Sequence, residues 1–62
     1  MYAIFDARGR RMVLPRATSE DAIEQIARAI VGRHAAPEEK RHAWERLRDL
    51  QGYRVKWVPA QR

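Results

Sequence analysis

His34 and His42 are the only imidazoles in a 62-residue chain without cysteine. Acid–base catalysis or metal binding would have to start from them. His34 lies in a short connector, Arg33-His34-Ala35-Ala36. His42 follows Glu38 by four residues, the spacing of a surface pair on a helix rather than of a catalytic dyad. Two histidines do not make a zinc site, which takes four ligands in tetrahedral array. Thr18 and Ser19, the only aliphatic hydroxyls, stand directly before an acidic helix start and read as capping groups. A nucleophile would need a base and an orienting group nearby, and none is evident. Gly9, Gly32 and Gly52 are too far apart to form a phosphate-cradling loop. These residues predict a non-enzymatic binding protein with no cofactor and no metal.

The charged residues carry more information. Lys and Arg total 13 against 8 Asp and Glu, a formal net charge of +5, and most of the bases are arginine. The arginine bias fits a GC-rich coding sequence, bacterial or phage, but composition does not explain where the charge sits. Residues 1–18 hold Arg8, Arg10, Arg11 and Arg16 against Asp6 alone. Residues 52–62 hold Arg54, Lys56 and Arg62 and no acid. The intervening 19–51 are slightly acidic. Their pairs Glu24/Arg28, Arg41/Glu45 and Glu45/Arg48, at helical spacing, read as structural. The excess positive charge therefore belongs to the ends of the chain.

Those ends read as strands. Asp6-Ala7-Arg8-Gly9 has Asp at the first turn position and Gly at the fourth, which predicts a type I turn with a G1 bulge. The turn would join 2–6 to 11–16 in a β-hairpin, with Phe5 facing Arg11, Ile4 facing Met12, Ala3 facing Val13 and Tyr2 facing Leu14. Alternation puts Tyr2, Ile4, Met12 and Leu14 on one large apolar face, assigned to the core. Ala3, Phe5, Arg11 and Val13 fall on the other. Tyr53 to Val58 alternates apolar against basic until Pro59, which predicts a half-buried strand with Tyr53, Val55 and Trp57 inward and Arg54 and Lys56 outward.

Two helices separate the strands. Thr18 caps the first, over about 19–31, and Ile23, Ile26, Ala27 and Ile30 form its apolar stripe. Gly32 stops it. Pro37 starts the second, Ala43, Leu47 and Leu50 form its stripe with Trp44 flanking, and Gly52 stops it. The prediction is one α+β domain over 1–62, in the order ββααβ: a two-layer fold with a three-stranded sheet and both helices on one face. If every element reverses direction, the last strand runs parallel to the first. It would lie beside either the first or the second.

In this arrangement the open sheet face and hairpin tip carry Phe5, Arg8, Arg10, Arg11, Arg54 and Lys56, the candidate binding residues. Basic side chains around an aromatic ring suit nucleic acid, with charge for phosphates and a ring for stacking. The same charges on a solvated sheet would also guard its edges against aggregation. The alternative function is a protein-interaction module, a small adaptor or inhibitor encoded by a phage or mobile element, docking on an acidic partner. Trp57 reads as core, and Trp44, at the margin of its stripe, as core or partner contact. A chain this short buries a marginal core, which a homodimer would supplement. No apolar run approaches the ~18–20 residues of a membrane span, and Asp6 interrupts the N-terminal apolar stretch, so a cytoplasmic location is expected.

Overall fold

The turn forms where Asp6 and Gly9 place it. In the computed structural model, which describes residues 1–59, Gly9 has φ 83° and its N–H donates to the Asp6 carbonyl at 3.0 Å. The Asp6 N–H donates to the Arg10 carbonyl at 2.9 Å, and Phe5 pairs with Arg11 as the spacing predicts. Beyond that point the hairpin departs from its expected register. The Met12 N–H still reaches the Ile4 carbonyl at 2.7 Å, but Tyr2 pairs with Arg16 rather than Leu14. Two extra residues are therefore accommodated between Met12 and Arg16. Pro15 explains the break: it has no N–H for a ladder and restricts the residue before it. Val13 consequently packs against the core, while Leu14, assigned to the core by alternation, is 70% exposed and Met12 is also exposed.

The second hairpin arm is thus an irregular extended segment rather than a strand, which corrects the expected three-stranded ββααβ sheet. The elements are β1 (Tyr2–Phe5), α1 (Ser19–Val31), α2 (Pro37–Leu50) and β2 (Arg54–Trp57). The α+β composition and the two helices stand, but the regular sheet has two strands. β2 lies beside β1 and antiparallel to it, with Tyr2 opposite Trp57, Ala3 opposite Lys56, Ile4 opposite Val55 and Phe5 opposite Arg54. The expected parallel direction fails because β2 and the 10–16 segment both run against β1, so one connection after residue 16 does not reverse the chain. β1 is the middle of the sheet, flanked by a regular strand on one edge and bridged to 10–16 on the other.

Both helices form as the sequence predicts. The Thr18 hydroxyl accepts the Asp21 N–H at 3.1 Å, so the first turn of α1 has its cap. Pro37 opens α2, where its missing N–H would have had no helical partner anyway. At the end of α2 the Leu47 carbonyl accepts the N–H groups of both Gln51 (3.2 Å) and Tyr53 (3.0 Å). Gly52 makes that exit with φ 74°, and a Cβ there would lie 3.0 Å from the Ala7 Cβ. The hairpin tip therefore sits directly against the α2–β2 turn, and only glycine fits both demands.

Ile4, Ala22, Ile26, Trp44 and Leu47 make the buried cluster, with Tyr2, Val13, Ile23, Tyr53 and Val55 packed around it. It draws on β1, both helices and the flank of β2. α1 packs on both strands and on α2. Trp44 is 7% exposed and belongs to the core, whereas Trp57 is 65% exposed. From the sheet, Ile4 enters the cluster and Val55 packs against it, and Trp57 stands two residues further along β2, opposite Tyr2. It is on the predicted side of the strand but beyond the reach of the packed side chains. Ile30 and Leu50, in the last turns of their helices, are also exposed, although the sequence placed both on apolar stripes. An ion pair from Lys40 Nζ to Glu24 Oε1 at 2.7 Å joins the helices. Among the described residues, no helix is long and apolar enough to cross a membrane.

A basic sheet face as candidate nucleic-acid interface

Residues directly opposite each other in an antiparallel pair project from the same side of the sheet. The β1–β2 register therefore places Ala3, Phe5, Arg54 and Lys56 on one face, and the Phe5–Arg11 bridge adds Arg11. This is the face away from the Ile4 cluster. The sequence-predicted residues Phe5, Arg11, Arg54 and Lys56 are thus brought together. Arg8 and Arg10 lie on the tip that continues β1.

Their side chains are not equivalent. Lys56 Nζ sits over the Phe5 ring, 5.6 Å from its centroid, within cation–π range. Phe5 is half-buried, so the ammonium covers the surface on which a base would stack. Arg54 turns away: its Nη1 donates to the carbonyls of Arg48 (3.1 Å) and Tyr53 (2.8 Å). A cation there meets the negative end of α2 and some of the carbonyls that a helix leaves unbonded. Arg10 is held by Asp6, Nε to Oδ2 at 2.9 Å. Arg16 is likewise engaged, with Asp21 at 3.0 Å. Among the described residues, Arg8, Arg11 and Lys56 have no carboxylate within ion-pair distance.

Asp6 organises the tip. Its Oδ1 accepts the N–H groups of Arg10 (2.8 Å) and Arg8 (2.9 Å), and its side chain is only 9% exposed. The Arg10 N–H is the largest influence holding this carboxyl below its ordinary value. Partial burial opposes it, and the Arg10 guanidinium and Arg8 N–H reinforce it. The acid at the start of the tip therefore holds the backbone of Arg8 and Arg10 in a fixed turn. A shallow groove lined by Ala7, Arg8, Arg10, Gln51 and Tyr53 runs beside it, towards the end of α2. There the Arg48 side chain, hydrogen-bonded to Asp49, holds the Asp49 carboxyl below its usual range, with weaker help from the charge of Arg54.

Two features escaped the sequence reading. The commitment of Arg54 to the α2 carbonyls depends on the exit turn at Gly52, and no spacing rule encodes it. The exposure of Trp57 was partly signalled by Pro59, which marks the end of the ladder two residues on. Among the described residues, no three His, Asp or Glu side chains gather to hold a metal ion. No family model matches the chain, and neither do any curated protein or solved structure.

Proposed function

We propose that this protein is a non-enzymatic nucleic-acid-binding protein that holds the phosphate backbone against the outer face of its sheet. The observation that carries this reading is the group Arg8, Arg11 and Lys56, exposed cations on the outer sheet face and its adjoining tip whose side chains, among the described residues, have neither a carboxylate nor a backbone carbonyl partner. Arg11 and Lys56 contact phosphates from the face and Arg8 from the tip. Arg54, anchored to α2, and Arg10, anchored to Asp6, contribute field rather than direct contacts. Phe5 supports the Lys56 ammonium instead of stacking on a base. Binding of this kind is insensitive to base sequence and weakens steeply with salt.

The test is a titration of the purified protein against random duplex and single-stranded DNA and RNA, at low and near-physiological salt. Micromolar affinity that falls with salt and is indifferent to sequence is the expected result. Absence of binding at low salt overturns the proposal.

A further inference from the structure

β2 leaves one edge of the sheet open. The Val58 N–H donates to the Met1 carbonyl at 2.7 Å, and the Met1 ammonium donates to the Val58 carbonyl at 3.0 Å. Bonded and non-bonded pairs alternate along an antiparallel ladder. Lys56 and Arg54 therefore turn their backbone groups towards β1, and Val55 and Trp57 turn theirs away. Among the described residues, nothing bonds to the N–H or C=O of Val55 or Trp57 on that outer side. Tyr53, the next position in the same phase, is engaged: its N–H goes to Leu47 and its C=O accepts from Arg54. The open edge is therefore two residues long in hydrogen-bonding terms. Exposed Trp57 marks one side of it, and the exposed basic Arg54 and Lys56 mark the other.

A second copy of β2 does not fit this edge. Antiparallel self-pairing must set outward-facing residues against outward-facing residues. Pairing Val55 with Trp57 of the other copy brings Lys56 opposite Lys56. Pairing Val55 with Val55 brings Arg54 opposite Lys56 twice. Like charges directly opposite are destabilising. Pairing Trp57 with Trp57 avoids them, but sets Val55 against Pro59, which has no N–H to give. An acidic strand meets none of these obstacles.

We propose that the β2 edge accepts an antiparallel strand from a partner protein, an extended segment alternating acidic with apolar residues. Its carboxylates lie beside Arg54 and Lys56, and its apolar side chains lie beside Val55 and Trp57. Its backbone completes the bonds of Val55 and Trp57, a mode of recognition in which main-chain pairing gives affinity and alternate side chains give selectivity. This uses the strand edge and does not rest on the phosphate-binding reading of the face.

The probe is a short synthetic peptide alternating glutamate and valine, compared with its lysine–valine counterpart and with two N-methylated forms. In the docked strand the valine amides face β2 and the glutamate amides face solvent. Binding is followed by calorimetry and by hydrogen exchange of the Val55 and Trp57 amides. The expected result is protection of those two amides by the glutamate–valine peptide. Methylation of the valine amides should weaken binding by about tenfold or more, with little effect from methylation of the glutamate amides. Lys56→Glu should shift preference towards the lysine–valine peptide. The proposal is overturned if the peptide does not bind, if both methylated forms bind equally, or if the lysine peptide binds wild type as well. Protection of the same amides by DNA, with none by the peptide, also overturns it and leaves the phosphate-binding reading standing.

Discussion

Replacing Arg11 with alanine removes one of three cations on the outer face and its tip whose side chains, among the described residues, have neither a carboxylate nor a backbone carbonyl partner. Each phosphate contact on duplex DNA contributes about 0.9 to the slope of log affinity against log salt. Three contacts give a slope of about −2.7 and two a slope of about −1.8. Between about 50 and 200 mM salt, wild type should lose roughly 40-fold in affinity and the variant roughly 12-fold. At about 0.1 M salt the lost counterion release amounts to about 1.2 kcal/mol, close to a tenfold weakening. Arg28→Ala is the control. Arg28 lies on α1 beside Glu24, 3.7 Å away, off the sheet face, and its loss should leave the slope unchanged. Fluorescence anisotropy of a labelled duplex over a salt series measures all three slopes. If Arg11→Ala keeps the wild-type slope, or Arg28→Ala lowers it equally, the attraction comes from overall charge and not from this face.

The two tryptophans should behave in opposite ways. Trp44→Ala removes a buried core ring and should cost about 3–5 kcal/mol, enough to unfold most of so small a domain, as read by far-ultraviolet circular dichroism. Trp57→Ala should change stability by less than about 0.5 kcal/mol in urea titration, because that side chain is mostly in solvent. Thr18→Ala removes the α1 cap and should cost about 1 kcal/mol in the same titration. Gly52→Ala meets both a φ of 74° and the Ala7 methyl at 3.0 Å, and should lower stability by about 1–2 kcal/mol or more. Asp6 has a pKa lowered below 3.8 in the fold, so its stabilising contribution is present above that value and is lost as pH falls through the lower folded value. Acid titrations of wild type and Asp6→Asn should accordingly differ at neutral pH and converge in that acid range.

Local signals carried much of this fold. The Asp6–Gly9 turn, the Thr18 cap, the bounds of α1 and the Pro37 start of α2 each depend on residues within a few positions of one another. The facing of Arg54 and Lys56 away from the core was legible for the same reason, since strand alternation is a local property. What failed depended on distant parts of the chain. The side chains of Met12 and Leu14 have the right chemistry for a core, but Pro15 breaks the ladder there and Val13 takes the place. The direction of β2 is set by how the three connections after residue 16 add together, and no single segment encodes that sum. Trp57 was assigned to the correct side and the wrong environment, because alternation gives facing and says nothing of how far a small cluster extends. The candidate site shared this division. Strand alternation grouped Phe5, Arg11, Arg54 and Lys56 on one face, but the turning of Arg54 onto α2 and of Lys56 onto Phe5 came only with tertiary geometry.

The middle position of β1 has a consequence for the order in which the chain organises. One of its neighbours, the 10–16 segment, is reached through a tight turn. The other arrives from the far end of the sequence, and the Met1–Val58 bonds close a separation of 57 residues. Contacts of such long range form only after the intervening chain has lost much of its freedom. The turn and the two helices are local, so contact range places them before that closure and places β2 as the piece that completes the sheet. Like the 10–16 segment, it has β1 as its one strand neighbour among the described residues. Release of β2 therefore breaks one regular ladder and the Met1–Val58 bonds together, and it opens the β1 edge without separating α1 from α2.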